Sequence, residues 1–335
     1  MISTPLGNLH EAHVVEWSVS FSAPAAAARA LELARLHRAA HLRGGSYLLR
    51  WLGTALTQPR QPPAHPLPAV RPGELAVTWI GHASVLLRFG QSHIVCDPVL
   101  SRWAGGVKRA IEPGLGAPEL DVDLILISHA HPDHLDHTTL ARLPRRATIV
   151  TPPRCADLVA DIGFARVLEL AHGTSMAHHG VRVTAHPVRH EGGGLRHRGA
   201  SCYVLEGDGP SLLFVGDSAY FSGFAEIGAR HAPEVALLPI GGYMPASFRS
   251  RHMSPLDALY AFEDLGATAL VPIHHGTFPL STEPLAAPAT WLRELVAERD
   301  LAHAVRLLPP GGSIVFAHDP GAGADKAVAS ARTPE

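Results

Sequence analysis

The feature that most limits what this chain can fold into is an apolar strand that runs directly into a cluster of histidines and aspartates. Asp123-Leu124-Ile125-Leu126-Ile127 is an apolar, β-branched run with the pattern of a buried strand. Ser128-His129-Ala130-His131-Pro132-Asp133-His134-Leu135-Asp136 follows without a break. A core strand that ends on these residues has left the core and entered a site. His129 and His131 alternate, so an extended turn points both to one side. Asp133 and His134 come where the chain bends, and they face a second point nearby. Neutral imidazole nitrogens and carboxylate oxygens are ligands that zinc takes at about 2.0–2.2 Å. One such turn can therefore serve two adjacent metal ions.

The pattern around this turn is that of a mixed α/β domain. Leu75–Ile80, Ser84–Phe89 and Ser92–Cys96 read as an antiparallel meander. Further strands are expected at Thr148–Thr151, Arg166–Leu170, Val181–His186, Ser201–Glu206, Leu212–Val215, Val235–Pro239, Thr268–Ile273 and Ser313–Phe316. Helices are expected at Asp136–Leu143, Pro153–Gly163, Ser254–Leu265 and Pro284–Arg299; the third starts on the capping sequence Ser254-Pro255-Leu256-Asp257. Ser101–Leu120 reads as a long loop. Two runs of strands with helices beside them suit two sheets packed face to face. Upstream, Pro24–His41 reads as a helix, Tyr47–Leu52 as the start of a second, and Gln58–Pro72 as a proline-rich linker. The expected division is 1–72 as a helical extension and linker, 73–318 as the main domain and 319–335 as a tail.

Composition narrows the function classes. A formal net charge of −2 provides no global field for nucleic acid. The 23 histidines exceed what a metal site uses, so no single histidine is informative without its neighbours. Cys96, Cys155 and Cys202 are scattered and odd in number, which points to a reducing compartment. With no signal-peptide pattern and no apolar run of spanning length, the expected location is cytoplasmic, with membrane association left open.

Two more strands end on candidate ligands. Leu212-Leu213-Phe214-Val215 ends at Gly216-Asp217, and a carboxylate there is costly unless it is paired or bound to metal. Thr268–Ile273 ends in the same way at His274. Between Asp136 and Asp217 the candidates are His172, His178, His179, His186 and His190.

His129-Ala130-His131-Pro132-Asp133-His134 resembles the signature of the metallo-β-lactamase fold superfamily. Trp79-Ile80-Gly81-His82-Ala83-Ser84, Asp97-Pro98-Val99, Phe214-Val215-Gly216-Asp217-Ser218, Leu238-Pro239-Ile240-Gly241-Gly242-Tyr243 and Ile273-His274-His275-Gly276-Thr277-Phe278 occur in that order along the chain. Together they resemble the branch of N-acyl-phosphatidylethanolamine-hydrolysing phospholipase D and its bacterial relatives, over about Leu75 to Phe316. The resemblance implies a four-layer αββα sandwich with an N-terminal helical extension. It implies two Zn2+, or other divalent transition metals, with His129, His131 and His190 on one ion and Asp133, His134 and His274 on the other. Asp217 would bridge them. His190 fits the family position best and His186 is the runner-up. His275 departs from the aromatic residue of the phospholipase relatives, and it either lines the pocket or lies at the surface.

The reaction implied is hydrolysis by a hydroxide held between the ions, with Asp133 orienting it and His252 contacting the substrate phosphate or donating a proton. The favoured class is a phosphodiesterase of the phospholipase D type, and the alternative is a lactonase or other small-ester hydrolase. A di-iron oxidoreductase fits less well, because that class characteristically has Glu where this chain has His131. The partners expected are a small-molecule or phospholipid substrate, a membrane touched peripherally and a second copy in a homodimer; no nucleic acid is expected. Arg43, Tyr47, Leu48, Leu49, Arg50, Trp51 and Leu52 suit either a helix lying among lipid headgroups or one packed on the sandwich, as apolar helix stripes usually are.

Overall fold

The structure, a computed structural model, describes residues 47–190 and 198–318. The helix expected over Pro24–His41, Arg43, the Glu191–Gly194 run and the tail after His318 lie outside the described residues. Helix α1 (Tyr47–Leu56) leads into irregular chain up to the first strand. Among the described residues the strands are β1 (Glu74–Gly81), β2 (Ser84–Phe89), β3 (Ser92–Cys96), β4 (Trp103–Ala104), β5 (Val107–Lys108), β6 (Leu124–Leu126), β7 (Thr148–Thr151), β8 (Arg166–Glu169), β9 (Ser175–His178), β10 (Val181–Pro187), β11 (Ser201–Glu206), β12 (Leu212–Phe214), β13 (Val235–Pro239), β14 (Ala269–Ile273) and β15 (Ser313–Ala317). The helices after α1 are α2 (His137–Leu140), α3 (Gly223–His231), α4 (Pro255–Leu265) and α5 (Ala287–Glu298).

One sheet has the order β15-β1-β2-β3-β6-β7-β8 and the other β14-β13-β12-β11-β10-β9; β4 and β5 form a small hairpin. Each sheet joins an antiparallel meander to a parallel half. In consequence β1, β3 and β6 point the same way, and so do β10, β12 and β14. Their C-terminal ends collect at one edge of each sheet, and the chemistry is at those edges.

The strands are apolar on both faces, for a packing reason. Leu75, Val77, Trp79, Val85, Leu87, Ile94, Leu124 and Leu126 face the opposite sheet, where they meet Val183, Tyr203, Phe214 and Leu237. Ile80, Leu86, Val95, Ile125 and Ile127 face outward and are covered by Leu120, Leu140, Val159 and Phe164. Each of these buried aliphatic side chains contributes about 1.5–3 kcal/mol of apolar burial. On the second sheet α4 packs over β13, with α3 and α5 beside it. The result is the αββα sandwich. The Tyr203 hydroxyl donates to the Ile127 carbonyl at 2.8 Å, so the second sheet is tied to the point where β6 gives way to the histidine turn.

Several elements differ from the sequence expectation. Pro153–Gly163 is not a helix but two tight 3-10 turns, Ala156–Leu158 and Ala160–Ile162. So short a segment is a marginal helix. Glu169 accepts from the Ala156 N–H, and Asp157 pairs with Arg198, which fixes the tighter path. The Ser101–Leu120 loop contains the β4–β5 hairpin and a 3-10 turn at Ala117–Glu119. Helix α3 is not among the sequence expectations, and its Gly223 and Gly228 are poor helix formers. Gly228 instead allows close helix contact, since a Cβ there would lie 2.7 Å from the Leu265 carbonyl oxygen at the end of α4. Strand β9 is a short, half-exposed edge strand with little β-branched content.

The segment between α1 and β1 is fastened to the sandwich. Lys108 Nζ donates to the Ala55 and Thr57 carbonyls at 3.0 and 2.6 Å, closing the C-terminal end of α1. Arg60 bridges to Ile111, and Arg88 donates to the Pro68 carbonyl. Leu52 and Leu56 remain exposed on α1.

Two loops close over the end of β1. Gly114 donates to the Ile80 carbonyl at 2.8 Å and Gly311 to the Trp79 carbonyl at 2.7 Å. A Cβ on Gly114 would lie 1.9 Å from the Gly311 nitrogen, a backbone atom that cannot step aside. Gly114→Ala is therefore expected to lower unfolding stability by about 1–3 kcal/mol, measured by urea denaturation. An unchanged midpoint would contradict this account of the closure.

Candidate metal centre

The candidate ligands all follow C-terminal strand ends. His82 comes after β1, His129 to His134 after β6, His190 after β10, Asp217 after β12 and His274 after β14. His82 (φ 55°), Asp97 (φ 40°) and His274 (φ 56°) have left-handed backbones, a region that non-glycine residues rarely occupy. Such strain costs about 1–3 kcal/mol per residue and persists only where the surroundings enforce it. Here the His274 N–H donates to the His82 carbonyl at 2.8 Å, the His82 N–H to Thr277 Oγ1 at 2.8 Å and the Asp97 N–H to the Leu126 carbonyl at 2.9 Å.

The side chains form two groups that meet at Asp217. His129, His131 and His190 present ring nitrogens within 4.8 Å of one another. His129 Nε2 is 2.8 Å, and His190 Nε2 3.2 Å, from His131 Nδ1. His82, Asp133, His134 and His274 form the second group. Asp133 Oδ2 lies 2.9 Å from His82 Nε2 and 3.5 Å from both His134 Nε2 and His274 Nε2. Asp217 reaches both: Oδ1 is 3.1 Å from His274 Nε2, and Oδ2 is 3.3 Å from His134, 3.9 Å from His129 and 4.0 Å from His190.

Neighbours outside these groups set the ring orientations. Asp97 accepts from the Ser128 N–H at 2.7 Å and from Ser128 Oγ at 2.5 Å, and contacts His134 Nδ1 at 2.6 Å, so His134 Nε2 turns toward Asp133 and Asp217. His190 Nδ1–H donates to the Arg251 carbonyl at 2.8 Å, which turns its Nε2 inward. The capping box of α4, in which Ser254 and Asp257 bond reciprocally, holds the chain just after His252. His252 Nδ1 lies 3.6 Å from Asp217 Oδ2.

Charge is shared unequally. Burial alone would raise Asp217, but the rings of His274, His134 and His252 outweigh it and hold the carboxyl well below the usual range. Asp133 is likewise held down against burial, chiefly by His134. In return, and again against burial, Asp217 and Asp133 lift His274 to about 9 and His134 well above its usual value. Burial and neighbouring rings lower His129, and burial with His274 takes His82 down to about 4. Burial also takes His252 to about 3, against the pull of Asp217.

The contacts around Asp217 are close but poorly aligned. His134 Nε2, Asp217 Oδ1, His252 Nδ1 and both His274 nitrogens are buried without a hydrogen-bond partner among the described residues. Unsatisfied groups of this kind cost about 1–3 kcal/mol each. Imidazole and carboxylate converging without mutual hydrogen bonds are the donor set of a divalent transition metal.

The other histidines are elsewhere. His186 Nε2 faces His231 Nε2 at 2.9 Å, and His172 donates to the Ala200 carbonyl. His178 and His179 stack on each other at the β9–β10 turn. His275 is buried and stacks on Trp79 with ring centroids 4.6 Å apart. Sequence reading gave no role to His82 or Asp97, although each terminates an apolar strand, the same signal that singled out Asp217 and His274.

The pattern of a beta-lactamase superfamily domain matches residues 92–275. An uncharacterized protein of Mycobacterium tuberculosis is 32% identical over 277 residues, covering 76% of this chain and 73% of that protein. A metal-dependent hydrolase of Methanopyrus kandleri is 31% identical over 245 residues, covering 71% of this chain and 99% of that protein. This chain belongs to the beta-lactamase superfamily. It is a metal-dependent hydrolase of the metallo-β-lactamase fold. A metallo hydrolase from Ignicoccus hospitalis, known as a solved structure, is similar with a TM-score of 0.57 and 25% identity, over 73% of this superfamily member and 100% of that chain.

Two expectations follow for metal uptake. Asp97→Asn removes the charge that orients His134 and should weaken metal binding about 10–100-fold in a competitive chelator titration, with little change in fold. Unchanged affinity would remove Asp97 from this role. His274, raised to about 9, and His134 must lose their protons to bind a metal. Below that pH protons compete with the metal. Apparent affinity should therefore tighten as pH rises from 6 to 9, with proton release visible by calorimetry in buffers of different ionisation enthalpy; flat affinity across the range would contradict the charge distribution.

Proposed function

We propose that this chain is a dinuclear zinc hydrolase acting as a phosphodiesterase of the phospholipase D type, on an N-acyl-phosphatidylethanolamine-like lipid phosphodiester. The observation that carries the dinuclear reading is Asp217, one buried carboxylate with an oxygen toward each group of histidines. His129, His131 and His190 would hold one ion, Asp133, His134 and His274 the other, and Asp217 both. Bound there, two divalent cations supply Lewis acidity and lower the pKa of water. His82, bonded to Asp133, fixes the carboxylate that orients the nucleophile. His252 has an unpartnered Nδ1 beside Asp217 and is placed to contact a phosphate oxygen. An anion at that point raises the pKa of the ring, as donation of a proton to the leaving oxygen requires.

A lipid substrate is favoured by the apolar residues near the site. The turn of the β4–β5 hairpin brings Gly105 against Pro132 of the histidine turn. On the same hairpin Trp103 is 49% exposed, and Lys108 links it to α1, where Leu56 is 84% exposed. Exposed aromatic and aliphatic side chains in one place suit a lipid interface.

The test is hydrolysis by the metal-loaded protein of bis(p-nitrophenyl) phosphate, N-acyl-phosphatidylethanolamine vesicles and a lactone panel. Phosphodiester cleavage is expected, lost in Asp217→Ala and reduced about 10²-fold or more in kcat by His252→Ala. Leu56→Glu with Trp103→Glu should slow vesicle hydrolysis while leaving bis(p-nitrophenyl) phosphate turnover intact. Lactone hydrolysis without phosphodiester cleavage would overturn the reading in favour of a small-ester hydrolase. Retained activity in His190→Ala, with loss in His186→Ala, would transfer the ligand role to His186.

A further inference from the structure

Behind the metal centre lies a second cavity, of about 490 Å³, between the irregular segment before β1, helix α5 and the turn that precedes β15. Its volume is within the range of small-molecule sites, about 300–1,000 Å³. Trp79, Ile111, Leu285 and Leu308 make most of its wall apolar, and Arg60 and Arg293 also border it. Both arginines are exposed, and neither side chain has an ion-pair or hydrogen-bond partner among the described residues. Glu112, the acid adjacent to Arg60 through a backbone bond, has its carboxylate on Arg102.

A polar atom also lies unsatisfied in the wall. His275 is 8% exposed and its ring is stacked on Trp79. Its Nε2 is buried with no partner among the described residues. His275 and Gly276 also border the narrow recess beside His82 and His274, so they form the partition between the cavity and the metal centre.

We propose that this cavity is a second ligand site, distinct from the metal centre, which takes an amphipathic carboxylate: a medium-chain acyl group against the apolar wall, with its carboxylate at Arg60 and Arg293. Two guanidinium groups without a partner among the described residues, beside an apolar chamber, select an anionic head on a hydrocarbon body, because each guanidinium offers a carboxylate a bidentate pair. A neutral chain of the same length leaves the arginines without a partner and gains only the apolar contact. The inference does not depend on the phosphodiesterase reading, because the cavity lies on the far side of His275 and its test reads binding.

The test is calorimetric titration of decanoate into the full-length, metal-loaded protein below the critical micelle concentration, with decanol as the uncharged control. Saturable binding of decanoate at one site per chain is expected, at least tenfold tighter than decanol. Arg60→Gln combined with Arg293→Gln, both exposed positions whose loss leaves the fold alone, should abolish that preference without changing decanol binding. Ala289→Trp, which fills the cavity from α5, should abolish binding of both, with metal content unchanged. Absence of saturable decanoate binding, equal binding of decanol, or decanoate binding that survives the double arginine variant would overturn the proposal.

Discussion

The metal centre depends on one buried negative group. Asp217 is 2% exposed and sits among the rings of His129, His134, His190, His252 and His274. A carboxylate in such a place is tolerated only if positive charge compensates it. In the metal-free protein that compensation comes from His134 and His274, held charged by Asp217 and Asp133. A divalent cation at the proposed site would do the same more fully, because it would satisfy the misaligned nitrogens as well as the charge. Binding of metal and relief of the histidine cluster are thus one event.

The fold is what brings these groups to Asp217. Joining an antiparallel meander to a parallel half in each sheet sends β1, β3 and β6, and likewise β10, β12 and β14, to common edges. Specific packing on both faces locks each strand in register, since a slip of one residue would exchange its inner and outer side chains. The strained backbones at His82, Asp97 and His274 follow from this. Each is the first residue after a rigid strand, and the chain must turn sharply there to keep its side chain on the site. Asp97 adds a second layer of control, because one carboxylate fixes both the Ser128 turn and the His134 ring.

Much of this was legible in the sequence, for identifiable reasons. The histidine turn carries ligand chemistry at nearly every position, and Asp217 and His274 terminate apolar runs with nothing else to explain them. His190 was harder. Only the third dimension separates it from His186, which lies on the same strand and its exit but turns to His231. His82 and Asp97 ended strands in the same way, yet each is a single polar residue after a run that reads equally well as an ordinary turn. The misread helix at Pro153–Gly163 and the unrecognised α3 have a common cause. Local propensity was overridden by partners distant in sequence, Arg198 and Glu169 in one case and the end of α4 in the other.

The central claim is that Asp217 joins two cation sites, and counting metal tests it most directly. Elemental analysis of the full-length protein, reconstituted with zinc and passed through a chelating column, should give close to two ions per chain, about 3.5–4 Å apart by anomalous diffraction. A protein that saturates at a single ion, or that purifies without transition metal and cannot be reconstituted, would contradict it.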